Sequence, residues 1–194
     1  MWPASSHVLG RAAGVNLEMS VYISADRLGR RVAELGAEID RAYVGRNPLL
    51  IGVLTSSVIF LADLARAICI PAEFDFLGLS SFAEDRSDRT RVQRVRFTSD
   101  LSRPVEGRHC IIVEDVVDTG MTLAYVAATL HARRPASLAV ATLLDRPQRR
   151  LAEYAIAFRG FVIADDFVVG YGLDFRGRYR ESPDLLVACE WPHA

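Results

Sequence analysis

Apolar residues fall along this chain in two rhythms. Between residues 24 and 43 they recur every three to four positions, at Leu28, Val32, Leu35 and Ile39, with Ser24 placed to cap the segment. That period predicts an amphipathic helix. Residues 56–68 and 121–134 carry the same signal. Elsewhere apolar residues form short runs at 48–54, 72–81, 109–113, 137–145, 161–172 and 184–190. Runs such as 48–54 suit parallel strands covered on both faces. Residues 94–101 read as a strand and turn. Strands alternating with helices predict an α/β fold with a central, largely parallel sheet flanked by helices. Residues 83–94 break the pattern: they are polar, mixed in charge and nearly free of large apolar side chains, and they predict a mobile, solvated loop. Residues 1–17 read as a flexible extension before a single domain at 18–194.

Composition narrows the function classes. The 194 residues are 51% hydrophobic, enough for a packed core, and carry a formal net charge of −1. Nothing global points to a membrane or nucleic-acid partner. No apolar run reaches the length of a membrane span, and no secretory signal is evident. Cys69, Cys110 and Cys189 each lie in an apolar run, which predicts reduced, buried thiols in a cytoplasmic protein. All 23 residues counted as Lys or Arg are arginine. A GC-rich genome and selection against a lysine-directed modification both account for that, and a site that needs a lysine has none to use.

The chemistry concentrates in CIIVEDVVDTGMTL, residues 110–123. An apolar strand leads into Glu114 and Asp115, expected on the ligand-binding rim where parallel strands end. Adjacent carboxylates suit a ribose, a divalent cation or both. Asp118 follows, then Thr119, Gly120, Met121 and Thr122 at a helix start. Free N–H groups, hydroxyls and a helix N-terminus make an anion cradle fit for a phosphate monoester. The nucleotide-triphosphate P-loop and the dinucleotide fingerprint are both missing.

This stretch resembles the phosphoribosyl-pyrophosphate (PRPP) signature of type I phosphoribosyltransferases. The segments LLIGVLTSSVIFLADLARAI, DFLGLSS, SLAVATLLDRP and GFVIADDFVVGYGLDFRGRYR resemble the hypoxanthine-guanine branch, in family order. The resemblance implies that fold, with a small hood built from the N- and C-terminal segments. It implies transfer of phosphoribose to N9 of a 6-oxopurine with release of pyrophosphate, Mg²⁺ as cofactor, and a homodimer or homotetramer. It assigns Glu114 and Asp115 to the ribose and metal, Asp118 to general base, and Thr119, Gly120, Met121 and Thr122 to the 5′-phosphate. Thr55, Ser56 and Arg180 fall to pyrophosphate. Arg146, Phe167, Val168 and Asp174 fall to the purine, Asp174 also to the metal, and Ser81 and Phe82 to a closing loop.

Three positions depart from the family pattern. Leu54, Thr55 and Ser56 stand where the family has Leu-Lys-Gly beside a cis peptide. Phe82 replaces a tyrosine. Arg146 replaces the lysine that donates to the purine 6-oxo group; a longer, planar donor serves the same carbonyl or favours xanthine. A site built on donors rejects adenine. Two other readings remain: a transferase with a changed acceptor, and a non-catalytic nucleotide sensor using Arg86, Arg89, Arg91, Arg94 and Arg96 on nucleic acid. Retention of Asp118 argues against the second, because a pure binder needs no base.

Overall fold

The computed structural model describes residues 7–12, 15–82 and 94–188. In chain order these form β1 (His7–Ala12), β2 (Val15–Ile23), α1 (Ala25–Tyr43), β3 (Leu49–Leu54), α2 (Val58–Ala67), β4 (Glu73–Phe82) and β5 (Arg94–Ser99). Then come β6 (His109–Val117), α3 (Met121–His131), β7 (Ser137–Asp145), a 3₁₀ turn (Pro147–Arg149), β8 (Phe158–Val162), β9 (Val168–Val169) and β10 (Leu185–Ala188). Among the described residues, six strands form the central sheet in the order β5-β4-β3-β6-β7-β8. All its pairs are parallel except β4 with β5. The order β1-β2-β10-β9 makes a second, antiparallel sheet from the two ends of the chain, which is the expected hood. The stretch 1–17, read from sequence as an extension, contains β1 and the start of β2.

The period-two alternation of strand side chains explains the two-sided core. Leu50, Ile111, Val113, Ala141 and Leu143 face α1 and α2, where Leu28, Val32, Leu35, Ile39, Phe60 and Leu64 are buried. Leu49, Ile51, Cys110, Ile112 and Val140 face the other way, onto Leu123, Val126 and Leu130 of α3. Each buried Leu, Ile, Val or Phe among them contributes roughly 1.5–3 kcal/mol by leaving water. The periodic stripe predicted for α1 is thus its buried face, and Ser24 is its N-cap residue, without a side-chain capping bond.

Two expectations need correction. The strand expected at 109–113 runs on to Val117, because β7 pairs with it as far as Val117 and Asp145. On its other side β3 pairs only to Val113, so the last part of β6 is open there. Cys69 is exposed rather than buried, since it lies just past α2, where its backbone N–H donates to Asp40. Cys110 is buried as expected, and burial pushes its thiol up to about 11. Cys189 and the loop expected at 83–94 lie outside the described residues, except Arg94.

Candidate active site

The site lies at the carboxyl ends of β3, β6 and β7. Glu114 and Asp115 are not on an open rim; they lie inside β6, 6% and 4% exposed. Alternation sends them to opposite faces. Glu114 turns to the α3 side and lines a cavity of about 80 Å³ with Asp118, Thr119, Gly120 and Thr122. Asp115 turns to the α2 side, where Ser56 and Arg180 are near. Burial and the neighbouring Asp115 charge hold the Glu114 carboxyl well above its usual range. Burial also raises Asp115, against the pull of Ser56, backbone N–H groups and Arg180. Two buried acids of like charge call for a cation or hydroxyl donors.

The phosphate-sized cavity ends at the N-terminus of α3. Gly120 caps it with φ of 80°, and a Cβ there would run into the Ala152 carbonyl. The Leu151 and Ala152 N–H groups both donate to Thr119 O, at 2.8 and 3.0 Å. That occupies the loop carbonyl, while the first N–H groups of α3 have no partner within the helix. The Met121 N–H reaches Thr119 Oγ1 at 3.4 Å, and its side chain is exposed.

On the opposite side, the Leu54–Thr55 peptide is cis. Thr55 is exposed, and the Thr55 carbonyl accepts from the Val58 N–H at 3.3 Å. Gly172, with φ of 98°, lets the 170–182 segment close against the Ser56 carbonyl, which a Cβ would block. Within that segment Arg180 donates to Gly172 O at 2.5 Å and pairs with Asp174 at 2.7 Å. The other Asp174 oxygen accepts from the Gly177 N–H at 2.6 Å. Asp174 is therefore held by its own loop, and no group of three metal-ligating side chains comes together among the described residues.

Arg146 is buried, a rare place for a charge. Its Nη2 donates to Asp166 O at 2.5 Å, its Nη1 lies 3.8 Å from Asp118 Oδ2, and its Nε has no partner. Asp118 Oδ1 is also buried without a partner. An unused donor and an unused acceptor thus lie on one wall, the complement of a base that offers a carbonyl beside an N–H. Phe167 is 44% exposed, edge-on to Phe175 at 6.0 Å, and Val168 is buried where β9 pairs with β10. Ser81 and Phe82 end β4, paired with Val95 and Arg94.

Further residues around this site escaped the sequence reading. Asp145, 1% exposed, pairs with Arg150 and with Arg159 at 2.8 Å. Arg149 lies 3.1 Å from Asp118, and burial beside Asp166 raises the pKa of the Tyr22 hydroxyl. The run RPQRR directly after a strand that ends on the ligand side was the available signal for the arginines. Tyr22 had none, being distant in sequence.

A mostly parallel sheet that ends in two buried acids, a small polar cavity at a helix start and a hood from the chain ends is the arrangement of a phosphoribosyl transferase domain. Residues 23–176 match the family described as phosphoribosyl transferase domain. A hypoxanthine-guanine phosphoribosyltransferase of Mycobacterium avium is 46% identical over 168 residues, spanning 84% of this chain and 81% of that protein. The structure of a Staphylococcus aureus hypoxanthine phosphoribosyltransferase matches with TM-score 0.81 and 34% identity, covering 87% of this chain and 90% of that one. A solved hypoxanthine-guanine-xanthine phosphoribosyltransferase matches with TM-score 0.78 and 34% identity, over 88% of this chain and 96% of that one. The chain belongs to the phosphoribosyltransferase family, in its hypoxanthine-guanine branch.

Proposed function

We propose that this enzyme transfers 5-phosphoribose from PRPP to N9 of hypoxanthine or guanine, giving IMP or GMP and pyrophosphate in purine salvage. The observation that carries the choice of base is the wall where buried Arg146 Nε and buried Asp118 Oδ1 both lack partners. The 5′-phosphate sits on Thr119, Gly120, Met121 and Thr122 at the start of α3. Glu114 and Asp115 flank the ribose, one on each side of β6. Thr55 and Ser56 offer backbone and hydroxyl donors to the pyrophosphate, with Arg180 beside them. Phe167 stacks on the base and Val168 supports its edge.

Transfer breaks the C1′–oxygen bond to pyrophosphate and forms C1′–N9, with positive charge on the ribose and negative charge on the leaving group. Asp118 holds the imidazole proton of the purine at Oδ1, so the attacking nitrogen keeps its electron density. Arg146 donates to the 6-oxo group in place of a lysine. The buried Glu114–Asp115 pair fits a divalent cation, for which Mg²⁺ needs one or two carboxylates and takes its other oxygens from substrate and water. When bound, the cation supplies charge that stabilises the pyrophosphate leaving group. Ser81 and Phe82, at the end of β4, are the residues we assign to keeping water from the ribosyl centre. We further expect a cytoplasmic homodimer or homotetramer.

Arg146 also supports xanthine as acceptor, because a guanidinium has more donors than an ammonium to offer a second carbonyl. Pyrophosphate release with PRPP, Mg²⁺ and each of hypoxanthine, guanine, xanthine and adenine decides the acceptor. Turnover with 6-oxopurines and none with adenine is the expected result, and Asp118→Asn should lower kcat by about 10²–10⁴. Turnover with adenine alone would sink the reading.

A further inference from the structure

Two arginines converge on Asp118, and the purine-binding reading uses only Arg146. The closer one is Arg149, whose Nη1 lies 3.1 Å from Asp118 Oδ2. It ends the 3₁₀ turn Pro147–Arg149, closed by its own N–H donating to Arg146 O at 3.1 Å. At its other edge Arg149 Nε lies 3.3 Å from Asp165 Oδ1. The next residue, Arg150, instead pairs with buried Asp145, its stem packed against Gly120. Consecutive arginines therefore have different work, one toward the site and one into the fold.

The Arg149 guanidinium is 45% exposed, so its ion pair adds little to folding stability. Its effect is geometric. A carboxylate has two equivalent oxygens and a nearly free final torsion. Arg149 at 3.1 Å and Arg146 at 3.8 Å both take Oδ2, and Oδ1 is left buried and unpaired. Without Arg149, only the longer Arg146 contact would distinguish the two oxygens. The span to Asp165 also fixes the guanidinium between the end of β6 and the loop that precedes Phe167.

We propose that Arg149 is a positioning residue for the transfer reaction: by holding Oδ2 of Asp118 it presents Oδ1 to the imidazole N–H of the incoming base. This rests on the function proposed above. Arg149 itself touches neither substrate, and it acts on the base side of the site, not on the phosphate cradle.

The test is steady-state kinetics on the full chain with PRPP, Mg²⁺ and hypoxanthine, comparing wild type, Arg149→Gln, Arg149→Lys and Arg103→Gln. Arg103, paired with Glu73 at 2.7 Å on the surface, controls for loss of an arginine. Calorimetric binding of IMP and thermal melting accompany each variant. The expected result is a kcat for Arg149→Gln lower on the order of tenfold or more, with the PRPP KM changed by less than about twofold and an unchanged melting temperature. Arg149→Lys should recover part of the loss, and Arg103→Gln should match wild type. An Arg149→Gln enzyme with wild-type kcat overturns the proposal. So does a PRPP KM that rises in step with the loss of kcat, which would place Arg149 with the cradle. A wild type that neither turns over hypoxanthine nor binds IMP overturns the parent reading and this one with it; IMP binding alone, equal in wild type and Arg149→Gln, overturns only this one.

Discussion

Glu114 shows at the scale of one residue how function opposes stability. Its carboxyl is buried beside Asp115, and burial shifts both groups toward their protonated forms. A carboxyl whose pKa is raised on folding binds more protons in the native state than in the unfolded one. Stability is therefore full below the unfolded value, near pH 4, and is lost as pH climbs toward the folded value. Glu114→Gln removes that loss. Without metal or substrate, the variant should resist denaturant more than wild type at pH 8, with a smaller advantage at pH 5, while its transferase activity falls. Equal advantage at both pH values would show that ionisation of Glu114 is not what strains the free protein. The sequence made these acids visible as a pair. It did not show them divided between the two faces, because that depends on β6 continuing past Val113 with β7 as its partner.

At the scale of the element, the turn between β6 and α3 is held from outside by the segment that follows β7. Gly120 fits there because no side chain stands between it and the Ala152 carbonyl, and because its φ of 80° suits glycine. Gly120→Ala should cost more than about 1 kcal/mol of unfolding free energy and raise the PRPP KM more than the KM for hypoxanthine. A variant with normal stability and a normal PRPP KM would mean that the loop tolerates a shift away from residues 150–152. The helix start and the small residues were legible, since Asp-Thr-Gly-x-Thr after an apolar run is a local signal. The clasp was not legible, because residues 120 and 152 meet only through the return of the chain along β7.

The whole molecule joins two sheets, and the base wall lies where they meet. Tyr22 of β2 lies beside Asp166, whose carbonyl receives Arg146, while Tyr171 donates to Asp63 of α2 at 2.6 Å. The hood thus packs against the Arg146 side of the site through side chains far apart in sequence. Tyr22→Phe keeps the ring and removes the hydroxyl. It should cost about 1 kcal/mol in stability and raise the KM for hypoxanthine with little change in that for PRPP. An unchanged KM for the base would mean that Arg146 holds its position without the hood.

The amino-acid sequence alone determined most of the elements from α1 onward and the strand, loop and helix that carry Glu114, Asp115 and Asp118, because apolar period and capping are local properties of the chain. It also determined the family, because the residues that carry the resemblance lie in contiguous segments. Only the tertiary structure decided that the acids are buried on opposite faces, that Cys69 is exposed, and that Asp174 is tied to Arg180. It also decided that Arg149, Arg150 and Tyr22 support the site. Burial and charge pairing depend on which distant segments pack together, and no spacing along the chain records that.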